Sequence, residues 1–110
     1  MNAQSTHWIE VGVRDDIPLR GSRVVYLNGE KIALFKTMEG NIYALEDSCP
    51  HKGGPLSEGM VHDGCVTCPL HNWVISLENG EAQGADEGTV KRYPVRLEGD
   101  ILFLGLNGRG

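Results

Sequence analysis

Short apolar runs separated by turn signals dominate the hydrophobic pattern of this chain. The runs "SRVVYL" and "KIALFKT" flank "NGE" at residues 28–30, and "KRYPVRL" and "ILFLGL" flank "EGD" at residues 98–100. "EGN" at residues 39–41 separates the second run from "IYALE". Asn-Gly between two β-rich runs is a strong hairpin signal. The pattern therefore predicts short strands joined by tight turns.

The segment "RYPVRL" shows the clearest alternation along the chain. Tyr93, Val95 and Leu97 would face one way and the two arginines the other, which is the period-2 pattern of a half-buried strand. Pro94 within this strand predicts an edge position or a bulge, because proline cannot donate to a ladder. No segment sustains a period of 3.6, so any helix should be short. We predict an all-β fold, a sandwich or small barrel, formed by residues 1–110 as a single domain.

Composition narrows the possible environments and partners. The 110 residues suit one domain, and 15 glycines agree with a turn-rich fold. The formal net charge of −5, with scattered basic residues, argues against nucleic acid or an anionic membrane as the main partner. The chain has neither an apolar run of membrane-spanning length nor a start typical of secretory signals. Three cysteines, an odd number, fit a reducing compartment, so we expect a soluble cytoplasmic protein.

Two cysteine–histidine pairs stand out from this background. They are "CPHKGGPL" at residues 49–56 and "CPLHNW" at residues 68–73, with a Cys-x-His and a Cys-x-x-His spacing. The intervening segment is long enough for a hairpin whose two ends return to each other, which would place the pairs on two facing loops. This interpretation makes one set of candidate metal ligands: Cys49, His51, Cys68 and His71.

Two thiolates and two imidazoles fit either a tetrahedral structural zinc ion or a Rieske [2Fe–2S] cluster. The ligand set alone does not separate these alternatives. The one-residue gap between Cys49 and His51 is tight for a zinc knuckle, where gaps of two to four residues are common. Gly53 and Gly54 would let backbone N–H groups approach bridging sulfides, and neighbouring prolines would stiffen both loops. The flanking residues therefore favour the cluster.

The stretches "CPHKGGPLSEG" and "CPLHNWVISLENGEA" resemble the two cluster-binding loops of the Rieske family. More narrowly, these stretches and "GADEGTVKRYPVRLEGD" are similar to the small-subunit family of NAD(P)H-dependent assimilatory nitrite reductases. The resemblance implies that Cys49 and Cys68 bind one iron and that His51 and His71 bind the other. It also implies stacked antiparallel sheets, with a cluster-binding subdomain over about residues 46–76.

The resemblance further implies a role in electron transfer. High-potential Rieske proteins carry an extra cysteine in each loop and a Ser and a Tyr after the last ligand, whereas this chain has Trp73 and Ile75 at the latter offsets. Fewer donors to sulfur stabilise a reduced cluster less well, so we expect a potential toward the bottom of the Rieske range of about −150 to +300 mV. The chain has no nucleotide-binding motif and no catalytic residue that we recognise. A large flavin- and sirohaem-containing subunit is the implied partner.

Two other functions remain open at this point: a Rieske ferredoxin that serves a ring-hydroxylating oxygenase, and a zinc-stabilised interaction domain. Among the remaining residues, we expect Cys65 to pack as a small apolar side chain and His62 to be exposed or hydrogen-bonded. Trp73 should pack in the core or shield the cluster, and Lys52 should be a solvated loop charge. The acidic "GADEG" at residues 84–88 predicts a turn, or by family analogy a third loop near the cluster.

Overall fold

Three antiparallel β-sheets make up the fold. The structure is a computed structural model, and it describes residues 6–27, 29–48, 55–69, 73–83 and 88–107. In these ranges the chain forms ten strands and two 3₁₀ turns of three residues each, Arg14–Asp16 and Leu56–Glu58. No helix in the described part of the chain has the length and apolarity needed to span a membrane. The predicted all-β class is confirmed.

Each sheet contains three or four strands. The outer sheet has the order β1-β10-β9, the central sheet β2-β3-β4-β8 and the short-strand sheet β5-β6-β7. The strands are β1 Thr6–Val13, β2 Ser22–Leu27, β3 Glu30–Lys36, β4 Ile42–Glu46, β5 Met60–His62, β6 Cys65–Thr67, β7 Val74–Ser76, β8 Arg92–Tyr93, β9 Val95–Glu98 and β10 Ile101–Asn107.

Strand β3 is buried on both faces and joins the two cores of the molecule. Ile32 and Leu34 face a core shared with β10 of the outer sheet. Ala33 and Phe35, the alternate residues, face a core shared with the short-strand sheet. All four side chains are fully buried. Because successive side chains of a strand point to opposite faces, one apolar run in β3 serves both layers, and the central sheet lies between the other two.

The predicted hairpins are confirmed. The β2–β3, β3–β4 and β9–β10 connections each join antiparallel neighbours. The first and last of these have two-residue connections that contain Gly29 and Gly99, with φ of 78° and 63°. Two-residue hairpin turns need such positive φ values, which glycine adopts without a steric penalty.

The interpretation of "RYPVRL" as one continuous strand is wrong, although Pro94 does lie between two edge strands, β8 and β9, as its predicted edge position requires. β8 pairs with β4 in the central sheet, whereas β9 pairs with β10 in the outer sheet, and Pro94 lies between them. Its carbonyl accepts a hydrogen bond from Gly105 N–H at 2.9 Å. Tyr93 is buried but Leu97 is 41% exposed, so the alternation does not continue across the break. Lacking an N–H, the proline ends one ladder where the chain passes to the next sheet.

Candidate metal centre

The structure places the bases of the two predicted ligand loops. Of the four predicted ligands, Cys68 is described, while Cys49, His51 and His71 lie outside the described residues. Cys68 directly follows β6 and is fully buried. The predicted hairpin between the two pairs is present as β5 and β6, which are antiparallel and joined at residues 63 and 64.

The second loop is closed by its own backbone. The N–H of Cys68 donates a hydrogen bond to the carbonyl oxygen of Trp73 at 2.6 Å. This bond continues the β6–β7 ladder, whose last pair is Thr67 with Val74. The Trp73 side chain packs against the core beneath the loop, as predicted. The two ends of the segment that contains His71 are therefore held together.

The first loop is closed by a side chain. Asp47, the residue after β4, accepts hydrogen bonds from the Ser57 N–H at 2.7 Å and the Ser57 hydroxyl at 2.8 Å. Its side chain is inaccessible to solvent, and Lys31 Nζ lies 3.3 Å from its Oδ2. We call this contact the Asp47–Ser57 clasp. Residues 48–56, which include Cys49 and His51, lie between its two ends. Sequence reasoning did not identify either residue of the clasp.

The bases of the two loops lie in one apolar cluster. Two residues show this: Leu56 is at the end of the first loop, and Cys68 is at the start of the second. Both are fully buried in the core beneath the short-strand sheet. Gly59 allows the close approach: a Cβ on this residue would lie 2.2 Å from the Thr67 carbonyl oxygen. Any larger residue would push the exit of the first loop away from the residue that precedes Cys68.

A third loop begins and ends beside the same apolar core. The N–H of Ala82 donates to the Gly88 carbonyl at 2.9 Å, and Glu81 forms a bridge with Thr89. Ala82 packs against the core that contains Cys68. Residues 84–87 lie outside the described residues. The placement of this loop near the iron–sulfur cluster therefore stays a prediction.

Cys65 and His62 also lie in the β5–β6 hairpin, and their surroundings differ from those predicted for the ligands. Burial, and after it the charge of Asp63, raises the pKa of the Cys65 thiol, so it stays protonated at neutral pH. Cys65 lies within β6, paired with Ser76 and outside both ligand loops, which argues against Cys65 as a ligand. His62 Nε2 lies 2.5 Å from Thr67 Oγ1, which confirms the hydrogen-bonded interpretation. Lys52 lies outside the described residues.

In the described ranges, no group of three or more His, Cys, Asp or Glu side chains is arranged to hold a metal ion elsewhere. The Rieske [2Fe-2S] domain family matches residues 7–94. This chain therefore belongs to the Rieske family, and its cofactor is a Rieske-type [2Fe–2S] cluster. The residues present fit this group, because the predicted donor set has two thiols and two imidazoles and the described thiol, Cys68, lies buried where the two loop bases meet.

The proteins similar to this chain include ferredoxin components of oxygenase systems and a nitrite reductase small subunit. The ferredoxin component of the naphthalene 1,2-dioxygenase/salicylate 5-hydroxylase systems of Ralstonia sp. is 34% identical over 99 residues, 89% of this chain and 94% of the relative. A solved structure described as the small subunit of a nitrite reductase that uses NADPH is 27% identical, has a TM-score of 0.80, and covers 89% of this chain and 97% of its own.

A second solved structure supports the fold. It is described as the small subunit of an NADH-dependent nitrite reductase from Mycobacterium tuberculosis, and it has a TM-score of 0.84. It covers 93% of this chain and 96% of its own, at 23% identity. At this identity the likeness shows the fold, which confirms the predicted stack of antiparallel sheets. With the family match over residues 7–94, the chain is a Rieske electron-transfer domain.

Proposed function

We propose that this chain is the electron-carrying small subunit of an assimilatory NAD(P)H-dependent nitrite reductase, which reduces nitrite to ammonium. The observation that carries the proposal is the second loop with its continuation, "CPLHNWVISLENGEA", which resembles that small-subunit family. The solved nitrite reductase small subunit that is 27% identical over nearly its whole length also supports it.

In this proposal Cys49 and Cys68 bind one iron as thiolates, and His51 and His71 bind the other as neutral imidazoles. The closed bases of both loops support the assignment, because they converge on the apolar cluster that contains Cys68. When bound, the cluster supplies a centre that gains and loses one electron. The chain's own residues would hold it, and fully buried Leu56, in the same core as Cys68, would help to keep water from that thiolate.

The proposed domain organisation is a single Rieske domain over residues 1–110, with residues about 46–76 as the cluster-binding subdomain. The short-strand sheet, which packs on the central sheet through one core, lies in that segment and supports this division. The chain has no nucleotide-binding motif. Oxidation of NAD(P)H and reduction of nitrite would therefore belong to a large flavin- and sirohaem-containing subunit, in the cytoplasm.

A ferredoxin that serves a ring-hydroxylating oxygenase is the second candidate. The observation in its favour is the 34% identity to a dioxygenase ferredoxin component over 94% of that protein. Both candidates need the same cluster and the same closed loops. They differ in the partner that receives or donates the electron.

The cluster is tested on purified protein before any partner is added. We expect two irons per chain, a dithionite-reduced EPR spectrum with the low average g of a nitrogen-ligated centre, and a midpoint potential toward the bottom of the range of about −150 to +300 mV. Colourless protein that contains zinc and no iron would overturn the proposal in favour of the zinc-stabilised domain. A midpoint well above zero would contradict the low-potential assignment alone.

The partner is tested by reconstitution with defined proteins. One mixture contains the chain and a large nitrite reductase subunit, and the other contains the chain, a ring-hydroxylating oxygenase and its reductase. We expect co-elution with the large subunit and NAD(P)H-dependent loss of nitrite that requires the chain. Electron delivery to the oxygenase, without binding to the large subunit, would establish the ferredoxin role instead.

A further inference from the structure

The Asp47–Ser57 clasp contains a buried carboxylate with several defined polar partners. Oδ1 of Asp47 accepts the Ser57 N–H, and Oδ2 accepts the Ser57 hydroxyl while it lies 3.3 Å from Lys31 Nζ. The Asp47 N–H donates to the Lys31 carbonyl at 3.0 Å, which fixes Asp47 to β3 as well. A carboxylate removed from water is costly unless such donors replace its hydration. The clasp is therefore a specific feature of this fold, and its carboxylate is two residues from Cys49.

Ser57 is held through both its backbone N–H and its backbone carbonyl oxygen. Besides the two bonds to Asp47, its carbonyl oxygen accepts a hydrogen bond from the Ser22 hydroxyl at 2.6 Å. Ser22 lies at the start of β2, and Lys31 lies in β3. The exit of the first loop is thus bonded to the central sheet, from which β4 leads into the same loop.

Apolar contacts alone would not fix this spacing. Leu56 is buried in the core, but hydrophobic burial has no preferred direction, and it permits the loop exit to slide or rotate. Hydrogen bonds to an ionised carboxylate are short and directional. The clasp therefore sets the separation and orientation of the two ends of the first loop, at Asp47 and Ser57.

We propose that Asp47 is a positioning residue for the cluster. It touches neither iron nor sulfide in this assignment. It acts through Ser57, by holding the ends of residues 48–56 so that Cys49 and His51 face Cys68. This inference rests on the proposed ligand set for its consequence at the cluster, but the closing of the loop by the clasp is a property of the chain itself.

Three variants test the clasp, with one matched control. Asp47→Ala removes the carboxylate, Ser57→Ala keeps the backbone bond and loses the hydroxyl, and Asp47→Asn keeps the shape and one acceptor. The control is Asp16→Ala, because Asp16 Oδ2 also accepts a backbone N–H, from Val13 at 3.0 Å, and pairs with Arg23 at 3.3 Å. Asp16 lies in the first 3₁₀ turn, outside the ligand loops.

The first readout needs no cluster. Lys52 is the only lysine in residues 48–56, so cleavage by endoproteinase Lys-C at this site, followed by mass spectrometry on the apoprotein, reports opening of the first loop. We expect cleavage on the order of tenfold faster in Asp47→Ala than in the parent, with Ser57→Ala and Asp47→Asn between them and Asp16→Ala unchanged. Equal rates at Lys52 in Asp47→Ala and Asp16→Ala would overturn the proposal.

The second readout is the EPR spectrum of the reduced holoprotein. We expect shifted or broadened g values and lower iron content in Asp47→Ala, partial recovery in Asp47→Asn, and the parent spectrum in Asp16→Ala. A parent spectrum in Asp47→Ala, at full iron content, would contradict a positioning role. If the parent protein itself lacks a Rieske spectrum, the proposed function fails, and the Lys52 cleavage rates then decide the role of the clasp independently.

Discussion

The outer and central sheets contain strands of seven or eight residues, β1, β3 and β10, whereas every strand of the short-strand sheet has three. Long strands align their side chains by alternation, and their pairing is reinforced along the whole ladder. Three-residue strands are too short to be stable by pairing alone. The two regions therefore obtain their order differently: one from repeated apolar pairing, the other from specific closures at loop ends.

Two of those closures flank the proposed ligand loops, and the third lies beside the core that contains Cys68. The Cys68–Trp73 backbone bond, the Asp47–Ser57 clasp and the Ala82–Gly88 bond each join the two ends of one loop. The long strands β3 and β10 instead begin directly after two-residue hairpin turns, at Gly29 and Gly99. A region that must place ligands depends on the positions of a few atoms, whereas a region that only packs tolerates many equivalent apolar side chains.

The largest expected effect separates two cysteines of the short-strand region. Cys68→Ala removes a proposed ligand, and we expect iron per chain to fall by more than about tenfold, because no other thiol replaces it. Cys65→Ala, three residues earlier, is the control: Cys65 lies within β6, outside both ligand loops, and the variant should keep the parent iron content. Elemental analysis and EPR on both variants measure the difference. Equal iron in both variants would remove Cys68 from the ligand set.

A smaller effect, on the free energy of unfolding, is expected when a side chain is shortened in the core on the other face of β3. Leu34 is fully buried between the central and outer sheets, away from the core that contains Cys68. Leu34→Ala should lower the free energy of unfolding by about 2–5 kcal/mol through lost burial and a cavity. Leu97→Ala is the control, because Leu97 is 41% exposed and should cost far less. Urea denaturation measures both.

The same Leu34→Ala protein sharpens the comparison of the two regions. If loop closure orders the site independently of the outer core, its reduced EPR spectrum at low temperature should match the parent while its unfolding midpoint falls. A changed spectrum would mean that the two regions are coupled through β3, whose alternate residues Ala33 and Phe35 face the other core.

Much of the fold was predictable because its turns and strands are encoded by residues that are neighbours in the sequence. The hairpin turns at residues 28–30, 39–41 and 98–100 carry glycine where the backbone needs it, and the flanking runs became β2, β3, β4, β9 and β10. Strand β1 was not predicted, because no turn signal joins it to a neighbour and its partner β10 lies at the other end of the chain. The change from one sheet to the next at Pro94 likewise depends on tertiary packing, which the alternation of apolar and polar residues does not reveal.

For the candidate site, the sequence predicted the metal ligands but not the residues that hold the ends of the ligand loops. Cysteine and histidine at close spacing identify a metal site whatever the fold, so the four ligands could be proposed at once. Asp47 and Ser57 are ordinary polar residues ten positions apart, and only the structure brings them together. An aspartate just before one ligand loop and a serine just after it were the available signals, but many loops have both.

The smallest expected effect concerns a polar cluster on the central sheet, remote from the ligand loops in sequence. Glu30, the first residue of β3, accepts a hydrogen bond from the Tyr93 hydroxyl, and Lys91 Nζ lies 3.2 Å from the same carboxylate. The Tyr93 bond, and after it the Lys91 contact, holds the pKa of Glu30 below its ordinary value of 4.5. Burial, followed by Glu30, raises the pKa of Tyr93 in turn.

A folded-state pKa below the unfolded one means that Glu30 stabilises the protein above its unfolded pKa and that this contribution is lost as the pH falls through the folded value. Glu30→Gln should therefore cost under about 1 kcal/mol at neutral pH, since the carboxylate is partly exposed, and the difference from the parent should shrink below pH 4.5. Urea denaturation across this pH range measures it. A difference that grows in acid would contradict the assignment. Unlike Asp47→Ala, this variant should leave the EPR spectrum unchanged, because the side chain of Glu30 pairs with Tyr93 and Lys91 and not with the Asp47–Ser57 clasp.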